Sequence, residues 1–386
     1  MRIALFTETY LPHINGVVTH VKLLKEGLEK LGHDVLIVTA DANTRHHYVK
    51  DGILYCPAAK LKKFYSYSVA PPISKKRLKL IDDFKPDIIH IHNEFGIGIS
   101  GFRAAKILRI PLVYTLHTMY DEYLYYVVPK KFIDASKRVA HKYFKLLGEH
   151  ADAITGPSKK CEEYFKLVGL DKEVHVIPNA VELDSFMPEN ITSEAKEAFR
   201  EKYNIPDSKM IACFVGRLGR EKSVDVVLDY WSKSIKESDN IHLIIIGDGP
   251  VRKELEEQAD NLGISSMVTF TGAVQHNELP PYLASCDVYV TASLSDTNSI
   301  SMLEGMATGL PVLQRLDRLN EDQVVNGENG YVFNSPEEMA NELKKLKNMS
   351  ADELANLKQS VTQSVVNSGA VTLAKHLLEV YEQIKK

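Results

Sequence analysis

The residues with the most chemistry in them run from Asp296 to Gly309, Asp-Thr-Asn-Ser-Ile-Ser-Met-Leu-Glu-Gly-Met-Ala-Thr-Gly, with carboxylates at Asp296 and Glu304 on either side of a change from polar to apolar composition. Ile300, Met302, Leu303, Met306 and Ala307 have the spacing of a buried helix, and Asn298 or Ser299 would cap its first turn. A helix start presents free backbone N–H groups and the positive end of the peptide dipole, a setting that suits a phosphate. A turn or two away, Glu304 can accept hydrogen bonds from hydroxyl groups. Phosphate beside polyol is the chemistry of a sugar nucleotide. Taken alone, two acids eight residues apart and a capped amphipathic helix are commonplace in folded proteins.

Three further segments narrow the choice. Cys213-Phe214-Val215-Gly216 reads as a strand ending in glycine and is followed by Arg217 and Lys222, two cations five residues apart. Leu243-Ile244-Ile245-Ile246-Gly247-Asp248-Gly249-Pro250 and Val268-Thr269-Phe270-Thr271-Gly272 repeat the pattern of strand and tight turn. With Val176-Ile177-Pro178-Asn179-Ala180-Val181 upstream, the set resembles the retaining glycosyltransferases of the GT-B class, which use nucleotide sugars. The resemblance spans nearly the whole chain, with its motifs in the expected order. It implies an α/β fold of two Rossmann-like domains whose parallel sheets face a central cleft. Residues 1–180 would form the acceptor-binding domain, with a C-terminal helix at about 371–386 packing back on it, and 181–370 the nucleotide-sugar domain.

The resemblance also assigns roles. A diphosphate gains negative charge as it leaves, so cations placed there do the catalysis. Arg217 and Lys222 match the residues that hold it, Arg bonding two phosphate oxygens and Lys acting as a point charge. Glu304 matches the acid expected at the ribose hydroxyls. Asp296 stands where the family usually has Glu beneath the donor sugar, and it is one methylene shorter. Thr297-Asn298-Ser299-Ile300 lacks the glycine often found there, which leaves the donor sugar open, although these N–H groups remain available to phosphate. Gly247 and Gly249 let backbone approach the nucleotide, or simply make a tight turn. Val274, in Gly272-Ala273-Val274, resembles the loop that meets the base. Asn15-Gly16-Val17-Val18 resembles the loop that approaches phosphates and acceptor, where Gly16 needs no clearance for a side chain. Asp-x-Asp is absent from the sequence, and the class generally works without a metal, so no metal and no cofactor beyond the donor is expected.

On the acceptor side, His117 closes a strand at Leu112 to Leu116, where open α/β sheets bind ligands. Thr115-Leu116-His117-Thr118 matches the family segment whose His contacts the donor sugar. His90 and His92 alternate on one strand and read as strand-end polar groups rather than a metal pair. The run His117-Thr118-Met119-Tyr120-Asp121-Glu122-Tyr123-Leu124-Tyr125-Tyr126 resembles the bacterial diacylglycerol glucosyltransferases, and Tyr suits a membrane interface. Lys130, Lys131, Lys137, Arg138, Lys142 and Lys145 follow it. The resemblance thus implies retaining transfer of glucose from UDP-glucose to diacylglycerol, giving an α-glucosyl lipid. Three alternatives stay open: a soluble or polyprenyl-linked glycan as acceptor, a monoglycosyl lipid as acceptor, or nucleotide-sugar binding without turnover.

The elements that must position these groups alternate from the start. Strands at Ile3 to Phe6, Asp34 to Thr39, Ile88 to His92, Leu112 to Leu116 and Ala153 to Thr155 are interleaved with helices at Val18 to Leu31 and Gly101 to Leu108. A second series has strands at Ile211 to Val215, His242 to Ile246, Val268 to Phe270 and Val288 to Thr291, with helices at Asp225 to Ser234, Val251 to Leu262 and Ile300 to Thr308. Pro178, Asn179 and Pro188 break both periodicities and mark the joint near 178–189. At 386 residues the chain suits two domains, and 44% hydrophobic with 25% charged residues is an ordinary globular composition. No apolar run approaches a membrane span, and Met1 to Phe6 enters a strand directly rather than a signal peptide, so a cytoplasmic location is expected. Four scattered cysteines indicate neither a disulfide framework nor a zinc site.

Charge is unevenly divided. Residues 1–180 carry 27 Lys and Arg against 19 Asp and Glu, a balance of +8, whereas the remainder carries 20 against 32, a balance of −12. The densest patch is Lys60, Lys62, Lys63, Lys75, Lys76, Arg77 and Lys79, set around Phe64, Tyr65, Tyr67, Val69, Pro71 and Pro72 with no acid. It suits the anionic inner face of the cell membrane, at roughly 1 kcal/mol per cation, and equally a solvated helix face. No recognition motif accompanies it, which argues against nucleic acid as a partner.

Overall fold

A computed structural model describes residues 1–13, 15–60, 68–123, 125, 128–206 and 208–385. Of the basic patch, Lys62, Lys63, Phe64, Tyr65 and Tyr67 lie outside the described residues, as do Leu124 and Tyr126 of the aromatic run and the side chain of Lys130. The chain divides into two compact units, Met1–Ala180 with Ala370–Lys386, and Val181–Gly369.

The first unit is built on an eight-stranded sheet. Its strands are β1 (Arg2–Thr7), β2 (Asp34–Asp41), β3 (Tyr48–Lys50), β4 (Ile53–Pro57), β7 (Ile88–Ile91), β8 (Leu112–Thr115), β9 (Ala153–Gly156) and β10 (Val174–Val176). Two short strands, β5 (Ala59–Lys60) and β6 (Ser68–Val69), make a separate antiparallel ribbon. The order is β10-β9-β8-β7-β1-β2-β4-β3, parallel except for β3 on β4. Apolar residues run almost unbroken through β1 because both of its faces are covered. Ala4 and Phe6 join one core with Ile81, Ala104, Phe144 and Phe165 from four helices. Ile3 and Leu5 join the other with Val21 and Leu24 of helix Gly16–Lys30 and Leu373 and Leu377 of helix Ala370–Ile384. Those two helices meet at Gly27, where a methyl group would overlap the Ala370 carbonyl.

The second unit holds six parallel strands, β11 (Met210–Val215), β12 (Ile241–Ile246), β13 (Val268–Gly272), β14 (Val288–Thr291), β15 (Val312–Arg315) and β16 (Gly330–Phe333), in the order β13-β12-β11-β14-β15-β16. One continuous core with Trp231 fully buried fills it. The strand order reverses between β11 and β14, as it does between β1 and β7 in the first unit. Such reversals splay the neighbouring loops apart and leave a crevice at the carboxyl ends of the strands.

Two expectations need correction. Arg77 belongs to the interior, 1% exposed with its guanidinium donating to the Pro71 carbonyl, and adds nothing to a surface patch. His90 lies inside β7 rather than at its end and is fully buried.

Candidate active site

In the second unit the expected donor residues gather at the β11/β14 reversal. Arg217 and Lys222 follow β11, and Asp296 to Ile300 follow β14. The Ser293 and Ser295 hydroxyls donate to the Glu221 carbonyl at 3.4 and 2.8 Å, tying one loop to the other. That tie places the Lys222 ammonium against Asp296, to which it donates directly. Arg217 donates to the carboxylate of Glu221, whose side chain is wholly buried. The loop beyond Asp296 is fixed from the far side, where Asn320 Nδ2 donates to the Asp296 carbonyl and Gln323 Nε2 to that of Thr297, both at 2.9 Å.

The helix that follows is Ile300–Ala307, and Ser299 is its cap, accepting from the Met302 amide. Thr297, Asn298 and Ile300 are buried around this start. One turn in, the Ser301 hydroxyl donates to the Val215 carbonyl at 2.9 Å and so holds the helix start to the end of β11. Glu304 is 4% exposed, and His276 Nε2 donates to its Oε1 at 2.8 Å. Burial raises the Glu304 carboxyl above its ordinary range, an effect the His276 bond opposes. Val274, two residues before His276, packs half-buried on the core.

Gly247 and Gly249 have an internal explanation. A methyl on Gly247 would overlap the Gly216 carbonyl and one on Gly249 the Leu218 carbonyl, so the turns after β11 and β12 touch backbone to backbone. Gly247 also has φ +144°, which side chains rarely adopt.

His117 and Gly16 belong to the first unit. Gly16 opens helix Gly16–Lys30, capped by Asn15, whose Oδ1 accepts from the Val18 amide at 2.9 Å. One turn on, the buried ring of His20 stands 4.6 Å from that of His117, centre to centre. His117 Nε2 lies 3.0 Å from Nδ1 of His92, the residue after β7. Burial holds His92 and His117 well below the usual imidazole range and takes His20 down to about 4, so all three rings are neutral at pH 7.

Two carboxylates at this rim gave no motif signal. Glu8 takes the amides of Ala70 and Ile97 at 2.7 and 2.6 Å, and desolvation raises it to about 6. Glu94 accepts from the hydroxyls of Tyr114 and Tyr120, and desolvation raises it to about 7. Tyr120 of the aromatic run therefore turns its hydroxyl inward, and Asp121 beside it bonds His141 at 2.9 Å. Glu221 and His276 were missed as well. The first had a signal in its four-residue spacing from Arg217, whereas nothing in the sequence pairs His276 with Glu304.

Comparison with known proteins agrees with this geometry. Residues 14–185 match the family model described as Glycosyltransferase Family 4, and 195–363 the one described as Glycosyl transferases group 1. An alpha-monoglucosyldiacylglycerol synthase of Acholeplasma laidlawii is 34% identical over 89% of this chain and 87% of its own. A protein of the same name from Streptococcus pneumoniae is 33% identical over 81% of this chain and 70% of its own. A GDP-mannose-dependent alpha-mannosyltransferase of Mycobacterium tuberculosis is 30% identical over 81% and 78%. The fold is similar to that of Anabaena Alr3699/HepE solved with UDP and glucose, with a TM-score of 0.75, 18% identity and coverage of 99% and 100%. The two halves, matched in order and joined between 185 and 195, make this chain a GT-B glycosyltransferase of family 4, with the group 1 glycosyltransferase domain as its second half.

Proposed function

We propose that this enzyme transfers glucose from UDP-glucose to the free hydroxyl of diacylglycerol with retention, forming an α-glucosyl-diacylglycerol at an anionic membrane surface. The observation that carries the donor half is the convergence of Arg217, Lys222 and the start of helix Ile300–Ala307 on one crevice. The names of the two relatives at 33–34% identity support the lipid acceptor.

The acceptor oxygen forms its bond to the anomeric carbon as the bond to the β-phosphate oxygen breaks. The electron pair leaves with UDP, and the acceptor proton passes to the departing phosphate oxygen. Arg217 and Lys222 stabilise the charge that appears there, and their fixed cations make a catalytic metal unnecessary. With Glu304 Oε1 held by His276, its second oxygen is left to accept from the ribose hydroxyls. Asp296 and His117 meet the donor sugar, Asp296 holding Lys222 in place until the diphosphate takes over the cation.

The membrane half rests on one helix face. Among the described residues no helix is long and apolar enough to cross a bilayer. Phe132, at the N-cap of helix Ile133–His150, and Val139 and Leu146 within it follow one another at seven-residue intervals and are 51%, 69% and 51% exposed, and exposed Lys131, Arg138 and Lys142 flank them. Apolar side chains framed by cations suit an interface containing anionic lipid.

The test is product analysis by mass spectrometry after incubation with UDP-glucose, UDP-galactose or GDP-mannose and liposomes containing diacylglycerol. Hexosyl-diacylglycerol from UDP-glucose alone is the expected result. UDP release without a lipid product would overturn the acceptor, and product from GDP-mannose alone would overturn the donor in favour of the mannosyltransferase relatives.

A further inference from the structure

Four imidazoles crowd the carboxyl edge of the first sheet, and their hydrogen bonds are not equivalent. His90 is fully engaged, with Tyr381 Oη on Nδ1 and Thr115 Oγ1 on Nε2, each at 2.6 Å. His20 Nδ1–H donates to Asn179 Oδ1 at 2.9 Å, which leaves a lone pair on Nε2, and that atom has no partner among the described residues. His92 shares one hydrogen bond with His117, and its Nε2 likewise has no partner among the described residues. His20 is 2% exposed and His92 is fully buried, whereas His117 lies partly open to solvent.

One ring nitrogen from each of His20, His92 and His117 falls within 4.8 Å of the others. A zinc-class ion bound at about 2.1 Å from each nitrogen needs them roughly 3.4 Å apart, a contraction that small rotations about the side-chain bonds supply. Neutral imidazole is the ligating form, and the lone pair left on His20 Nε2 by its bond to Asn179 is of that kind. Asn179 fixes the His20 tautomer from behind, as carboxylates and amides do for the histidines of metal sites. Access is from the His117 side.

We propose that His20, His92 and His117 bind a borderline-soft divalent transition metal of the zinc class, with solvent as fourth ligand, and that the bound ion withdraws His117 from the sugar and so inhibits transfer. The binding stands on the cluster itself, and only the inhibition rests on the sugar-contacting role proposed for His117. Three imidazoles and no carboxylate select zinc, cobalt or copper over magnesium and calcium, which prefer oxygen ligands.

The test uses untagged full-length protein titrated with cobalt(II), read by its visible absorption and followed by competition with zinc and with magnesium. One ion per chain with a tetrahedral spectrum is expected, displaced by zinc and untouched by magnesium. The spectrum should vanish in His92→Asn and in His117→Asn, and affinity should fall about 10- to 100-fold in Asn179→Ala. If circular dichroism shows His92→Asn unfolded, the partly open His117 carries the comparison. Absence of a tetrahedral spectrum, or an equal one in folded His117→Asn, overturns the site and leaves the proposed function standing. In the transfer assay, zinc should inhibit at the concentrations that displace cobalt, with reversal by chelator. Binding without inhibition upholds the site and overturns the inhibitory half, together with the role given to His117.

Discussion

Replacing Lys222 by Met separates a catalytic cation from a structural one. Lys222 pairs with Asp296, and the two side chains are 20% and 25% exposed. A partly solvated ion pair of this kind contributes about 0–1 kcal/mol, and Asp296 left behind still meets solvent. The substitution should therefore cost at most about 1 kcal/mol out of a typical 5–15 kcal/mol of domain stability. A fixed cation at the point where a leaving group gains charge is worth about 10²- to 10³-fold in kcat, or roughly 3–4 kcal/mol. The two effects differ enough to be read apart. Initial rates of UDP release at saturating donor and lipid, measured beside urea unfolding midpoints, should show Lys222→Met slowed by at least about 100-fold with its midpoint almost unmoved. The reasoning is refuted if the folded variant keeps its rate within about threefold, or if a collapsed midpoint accounts for the whole loss.

Other outcomes follow from the same geometry. Glu94 titrates at about 7 in the fold against an ordinary 4.5, so its stabilising contribution is complete below pH 4.5 and lost as pH rises through 7, about 3 kcal/mol in all. Glu94→Gln, permanently neutral, should therefore gain stability relative to the parent between pH 4.5 and 7 in paired unfolding curves, and parallel curves would contradict the desolvation argument. His276→Ala removes the donor that orients Glu304 and should raise KM for the sugar nucleotide about 10-fold, with a smaller effect on kcat; an unchanged KM would sever His276 from ribose binding. Substituting Ser at Phe132, Val139 and Leu146 together should abolish flotation with anionic liposomes and leave the thermal transition in place, and persistent flotation would move the membrane contact to another face.

Both sheets were legible because buried parallel strands carry apolar runs such as Leu243–Ile246, and the helices between them end at glycines such as Gly32, at φ +81°. Strands β3, β10 and β16 were not, because each is short and sits at a sheet edge where pairing rather than composition makes the strand, and the short interior strands β4 and β15 were missed with them. Within the candidate site, the residues carried by local motifs could be read because chain neighbours share a loop. The partners across loops could not: Glu304 with His276, Glu8 with Ala70 and Ile97, and His20 with His92 and His117 are joined only by the sheet order. Arg77 shows the opposite failure, a cation counted with its neighbours whose side chain lies inside the core.

The helix Ala370–Ile384 makes the first unit discontinuous, and this sets how much chain each unit needs before its core can close. Every strand and helix of the second unit is encoded by Gly369, whereas the first, although its strands precede them in the chain, still lacks a wall of its core at that point. Until helix Ala370–Ile384 is added, Val21 and Leu24 lack its cover and His90 lacks its bond to Tyr381. Synthesis from the N-terminus normally lets early domains mature first. Here residues 1–180 must wait for helix Ala370–Ile384, so a chain cut short before Ala370 carries every element of the second unit and an unfinished first unit, a natural substrate for chaperones and proteases.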